Sequence, residues 1–84
     1  SDAYDALPTL ILLPITSDLA DPPSRLRIPL EPDSENGLKR RSEVAADIPV
    51  TIRASRVHQH IGHLARPDMA RVQDALALVL GFAE

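Results

Sequence analysis

The chain has 84 residues, no cysteine, two aromatic side chains (Tyr4 and Phe82) and a net charge of −3. A chain this short is one domain that buries only about 60 to 65% of its unfolded surface. With no disulfide to staple it, the expectation is a reducing, cytoplasmic setting and a stability assisted by self-association. No apolar run reaches the roughly 18 residues of a membrane-spanning helix, and no charged-then-apolar signal segment opens the chain. Taken alone, the acidic balance and scarce rings argue against a nucleic-acid surface. The charge is uneven, however: Ser1 to Asn36 carry seven acids and two bases, Gly37 to Glu84 five acids and seven bases. A basic surface therefore fits only the second half. The opening "SDAYDALP" reads as the interior of a domain, so residues 1–84 are expected to be the C-terminal part of a longer one.

In chain order, Pro8 to Thr16 is apolar at nearly every position, which predicts a strand covered on both faces. Pro14 cannot donate to a ladder, so that end of the strand is expected at an edge or a bulge. "SDLADPPS" follows as a loop; hydroxyls at Thr16 and Ser17 are ordinary residues for leaving a strand. "RLRIPLE" alternates, with Leu26, Ile28 and Leu30 on one side and Arg25, Arg27, Pro29 and Glu31 on the other, as a half-buried antiparallel strand does. Asn36-Gly37 is a turn signal. "SEVAADIP" predicts a strand with Val44, Ala46 and Ile48 on the apolar face and Glu43, Ala45 and Asp47 opposite. "VTIRAS" continues extended, "SRVHQ" is short and helix-capable, and "HIGHLA" reads as one more short strand. Only the segment from Pro67 to Leu80 has a helical period, carried by Met69, Val72, Leu76, Val79 and Leu80. Pro67 and Asp68 suit its first turn. Several short strands followed by one amphipathic helix predict a small barrel or curled sheet with the helix packed on it.

Chemistry-bearing groupings are few. His58, His60 and His63 invite a metal, but neither a strand nor a helix collects all three on one face, and no cysteine or nearby carboxylate completes a set. Three glycines build no phosphate loop of the usual kind. Lys39, Arg40 and Arg41 form a basic run that reads as a solvated hairpin face or as a grip on a phosphate backbone. Asp47 stands alone on the polar face of its strand, where a solvated carboxylate is the plain reading and acid or base chemistry lacks a partner.

The ordered series "SDAYDALPTLILLPITSDL", "RLRIPLE", "NGLKRRSEVAADIPVTI" and "HIGHLARPDMARVQDALALVLGF" resembles the MazF/PemK family of toxin endoribonucleases along nearly the whole chain. The match is strongest at Pro14-Ile15-Thr16-Ser17 and in the closing pattern Ile61-Gly62, Leu64, Asp68-Met69, Val72, Ala75-Leu76 and Leu80. The resemblance implies an SH3-like β-barrel with packed helices, a homodimer, a cognate antitoxin and single-stranded RNA as substrate. It also implies cleavage with no cofactor or metal, the ribose 2′-OH attacking its own phosphate to leave a 2′,3′-cyclic phosphate and a 5′-OH. Thr16 then matches the threonine whose hydroxyl contacts the scissile phosphate, a donor worth about 3 kcal/mol in a transition state. Ser17 matches a neighbouring hydroxyl, and Asp47 an acid tied to base recognition or proton transfer.

Three departures stand out. Ala45 occupies a position where several members carry an arginine, which leaves any nearby charge role to Lys39, Arg40 or Arg41. Ala65 replaces the serine that commonly caps the last helix, at a cost of about 1 kcal/mol. The family's first hairpin, with its supporting arginine, has no counterpart. The alternatives are a non-enzymatic toxin on the same fold, like the gyrase poison CcdB, whose tryptophan-bearing tail is not matched by Gly81-Phe82-Ala83-Glu84, and an inert antitoxin-binding module.

Overall fold

The computed structural model describes residues 8–81. The segments on which the truncated start and the terminal tail were read, 1–7 and 82–84, lie outside the described residues. The described chain is mainly β with one C-terminal α-helix: β1 (Thr9–Leu12), β2 (Ile15–Thr16), β3 (Arg27–Leu30), β4 (Ser42–Ala45), β5 (Val50–Arg53), a 3-10 turn (Ala54–Arg56) and α1 (Arg66–Leu80). All strand pairs are antiparallel, in a two-stranded sheet β1-β5 and a three-stranded sheet β2-β4-β3. Among the described residues these remain two ladders; no pairing closes them into one barrel.

The expected single strand from Pro8 to Thr16 is thus broken at Leu13-Pro14, because proline offers no N–H to a ladder. The partner chain shows the consequence. Two residues, Leu13 and Pro14, separate the paired positions Leu12 and Ile15, whereas five, Ala45 to Pro49, separate their partners Val44 and Val50. The surplus forms a turn at Ala46 and Asp47, a large bulge opposite the proline in which Ala46 is buried in the core. Pro14 still accepts the Ala45 N–H at 2.9 Å. The expected strand to Ile48 therefore stops at Ala45, and Ile48 faces outward. Burial on both faces of the first strand is also overturned. Ile11 is 76% exposed, since β1 pairs only with β5 and neither strand contains a fully buried residue.

The core lies between the three-stranded sheet and the helix: Ile28, Leu30, Val44 and Ala46 meet Val72 and Ala75, with Leu13, Leu38, Leu64 and Val79 partly covered around them. The helix starts within one residue of expectation but presents a rotated face. Val72, Ala75 and Val79 point inward, at the i, i+3, i+7 spacing, while Met69 and Leu80 are largely exposed. Ala75, with its small side chain, lets the helix approach β3. Ala65 gives no side-chain cap, and Gly81 ends the helix in the left-handed conformation (φ 81°), its N–H returning to the last turn.

"HIGHLA" forms no strand. Instead Ile61-Gly62-His63 docks on the turn after β3, His63 N–H donating to the Glu35 carbonyl at 2.9 Å and His63 Nε2 lying 2.7 Å from Glu35 Oε2. Both glycines at this junction are required. A Cβ on Gly37 (φ 71°) would overlap the Ile61 carbonyl, and one on Gly62 the Glu35 carbonyl. Buried Asn36 organises the turn, accepting from Asp33 and Leu38 N–H and donating to the Glu31 carbonyl at 2.9 Å. The helix-capable "SRVHQ" yields only the 3-10 turn Ala54–Arg56.

Candidate active site

The break at Pro14 leaves β2 two residues long, so Thr16 is the last paired residue before the chain bends away. Its Oγ1 accepts the Asp18 N–H at 3.0 Å, a local turn that leaves the hydroxyl's own proton free to donate. Thr16 pairs across the ladder with Glu43, and Glu43 with Pro29, while Arg27 pairs with Ala45. Paired residues share a face and alternate residues share a face, so Thr16, Arg27, Glu31, Arg41 and Glu43 all lie on the side of the sheet opposite the core. Ser17 sits in the exposed bend beyond the strand.

One guanidinium organises this face. Arg27 Nε donates to Asp47 Oδ1 at 2.7 Å, and its Nη1 lies 3.6 Å from Glu43 Oε1. Glu43 is nearly buried, and the same carboxylate oxygen accepts the Ala20 N–H at 2.6 Å. The hydrogen bond from Arg27 holds the Asp47 carboxyl below the usual aspartate range, partly offset by desolvation, and Asp47 in turn raises the Arg27 pKa. Asp47 is therefore an acceptor at neutral pH and not a proton donor. Beside the face opens a cleft of about 580 Å³ in which Arg25, Arg27, Arg41 and Glu43 meet Arg71 and Asp74 of the helix, with Leu19 and Leu78 as apolar wall.

Two expectations change. Asp47 is not a lone solvated carboxylate on a strand, because the bulge swings it to Arg27. Nor does the run 39–41 supply its cation. Arg41 reaches the cleft but pairs with Glu31 at 2.9 Å, and Lys39 and Arg40 are exposed before β4. Arg27 and Glu43 are the members that motif reading missed. The turn could have located the first: Arg27 and Ala45 are each nine residues from Asn36, so a hairpin centred there puts them opposite one another. Among the described residues no group of three or more His, Cys, Asp or Glu could hold a metal ion, and His63 pairs with Glu35, away from His58 and His60.

Comparison with known proteins bears on the same segments. Residues 1–80 match the family of PemK-like, MazF-like toxins of type II toxin-antitoxin systems. A curated relative, the "Probable endoribonuclease MazF" of Mycolicibacterium smegmatis (strain ATCC 700084 / mc(2)155), is 35% identical over 82 residues, covering 98% of this chain and 74% of the relative. Among solved structures, Mycobacterium tuberculosis toxin MazF-mt6 superposes with a TM-score of 0.80 at 21% identity, over 95% of this chain and 77% of that one. A second, described as an Mtb toxin, gives 0.79 at 23% identity over 93% and 81%. Strand order, the Thr16 turn and the C-terminal helix thus all fall within one matched stretch, and the chain belongs to the PemK-like, MazF-like toxin family of type II toxin-antitoxin systems.

Proposed function

We propose that the chain is a MazF-like endoribonuclease that cuts single-stranded RNA through attack of a ribose 2′-OH on the adjacent phosphate, leaving a 2′,3′-cyclic phosphate and a 5′-OH. The observation that carries this reading is the Thr16 hydroxyl, whose oxygen is committed to the Asp18 N–H while its proton remains available to a phosphorane oxygen. Asp47, ionised and aimed by Arg27, suits recognition of a base amino group better than proton transfer. Ser17 is a secondary hydroxyl at the same bend. Arg41, and more distantly Lys39 and Arg40, guide the RNA backbone by charge. Arg27 faces two carboxylates and has little charge to spare for a phosphate.

The reaction is proposed to require no metal or cofactor. A cognate antitoxin is the partner that silences the toxin. The two sheets are read as halves of an SH3-like barrel, since Thr9 to Thr16 runs through both with its bend at Pro14. Homodimerisation is assigned to the half-exposed apolar side of β1-β5 formed by Leu10, Leu12, Val50 and Ile52, which share one face by register.

The test is cleavage of short single-stranded RNA with a chelator present, using the longest native form of the chain and mapping product ends. The expected result is a cyclic phosphate and a 5′-OH, with Thr16→Ala reducing kcat about a hundredfold or more. Unchanged cleavage by Thr16→Ala would remove Thr16 from the site. Antitoxin binding with no cleavage would favour the inert-module reading.

A further inference from the structure

Glu43 is a buried carboxylate that the proposed chemistry does not use. A charged group is rarely buried unless its partners are specific, and here they lead back to Thr16. Glu43 lies opposite Thr16 in the β2-β4 ladder. From Thr16 the chain bends, Asp18 N–H returns to Thr16 Oγ1, and two residues later Ala20 N–H reaches Glu43 Oε1 at 2.6 Å. Backbone and hydrogen bonds thus form a closed circuit that includes the Thr16 hydroxyl, with Glu43 as the anchor on the neighbouring strand. Arg27 holds the anchor from the other side, its Nη1 3.6 Å away.

We infer that Glu43 is a positioning residue: by gripping the Ala20 N–H it fixes the Thr16-to-Ala20 bend and thereby the direction of the Thr16 hydroxyl. This rests on the reading of Thr16 as the phosphate donor, but the positioning itself is measurable without RNA. Without the grip no other hydrogen bond among the described residues ties residues 17–20 to the sheet, and the Asp18 N–H loses its fixed approach to Thr16. A displacement of about 1 Å at such a donor lowers a rate about a hundredfold. Gln in place of Glu43 keeps an acceptor for Ala20 while weakening the tie to Arg27.

The experiment compares wild type, Glu43→Gln and Glu43→Ala by NMR on the 84-residue chain. In Glu43→Ala the three-bond couplings reporting the Thr16 side-chain torsion should move from single-rotamer to averaged values. The Ala20 amide should exchange about tenfold faster or more, with Ala75 and Val79 amides in the helix unchanged. Glu43→Gln should resemble wild type. If Glu43→Ala loses helix protection, Ala20→Pro deletes the donor from the other end and should give the same Thr16 averaging. In RNA cleavage, Glu43→Ala should lower kcat about tenfold or more with KM little changed, and should add nothing to Thr16→Ala. A Thr16 torsion unmoved by loss of the grip, or independent losses from the two substitutions, overturns the inference. Full cleavage by Thr16→Ala would instead remove Thr16 from the site, and the coupling data would still decide whether Glu43 positions Thr16.

Discussion

The sheets β2-β4-β3 and β1-β5 use similar residues and similar ladders, yet every residue of β4 is buried and no residue of β1 or β5 is. The difference lies in what covers them. The first sheet has α1 against Ile28 and Leu30, whereas the second contributes no residue to the core cluster and only Leu10 and Ile52 are even half-buried. Hydrogen bonding alone does not make a sheet a source of stability, and a two-stranded ribbon is marginal by itself. Leu30→Ala, at the largest fully buried side chain, is therefore expected to cost about 2 to 5 kcal/mol in chemical denaturation, enough to unfold much of a small domain. Ile11→Ala, an equally apolar truncation on β1, should change stability by less than about 0.5 kcal/mol in the monomer. Ile11 lies on the face opposite Leu10 and Leu12, so a large loss there would mean that this other side of β1-β5 is covered in solution, whereas a concentration-dependent loss at Leu12→Ala would identify self-association through the proposed dimer face.

The junction of Gly37 and Gly62 tests how far the well-packed region reaches. It belongs to neither sheet, yet its backbones pass too closely for a Cβ on either side. Gly62→Ala must push the Ile61–His63 segment off the Glu35 carbonyl and is expected to cost about 1 to 3 kcal/mol, read from the denaturation midpoint. The His63 amide should lose protection at the same time, because its partner is that same carbonyl. A neutral Gly62→Ala would show that the segment docks loosely and behaves like β1-β5.

What could be read in the sequence follows the same division. "RLRIPLE" alternates because β3 has one covered face, and its burial came out in the expected phase. The helix start was likewise written in Pro67 and Asp68, and its last residue in the period that ends at Leu80. By contrast the apolar run before Thr16 predicts burial on both sides, a property of neighbours and not of the run itself. The helix face was misjudged for a related reason: periodicity weights large side chains, whereas close approach to β3 favours Ala75 over Leu76. At the candidate site, Thr16 was visible through its motif, but Arg27 and Glu43 act through register across two strands, and "HIGHLA" reads as extended chain yet forms no strand. Those relations lie in chain pairing, which local pattern does not encode.

The start of α1 offers a gain instead of a loss. Ala65 leaves the first-turn N–H groups without a side-chain acceptor, although its backbone is already extended as a cap requires. Ala65→Ser should add about 1 kcal/mol, seen as a higher Tm, by supplying that acceptor. Since the helix covers β2-β4-β3, the gain should appear in the protection of core amides such as Val44 and leave β1-β5 amides unchanged. A uniform rise across both sheets would show that they unfold as one unit.

Asp47 sits where the two sheets diverge, and its titration should have the smallest effect. Arg27 lowers its pKa, so the folded state binds the proton less readily than the unfolded chain does. The contribution is therefore fully present above the unfolded aspartate value of about 3.9 and disappears as pH falls through the lower folded value. Wild type should exceed Asp47→Asn in stability at neutral pH, with the two curves converging in acid. Added salt should narrow the gap, because the Asp47 side chain remains partly open to solvent. The effect is small because Arg27 keeps its contact with Glu43 after Asp47 is neutralised. A gap that persisted unchanged well below the ordinary carboxylate range would indicate that Asp47 shapes the Pro14 bulge through its backbone turn and not through its charge.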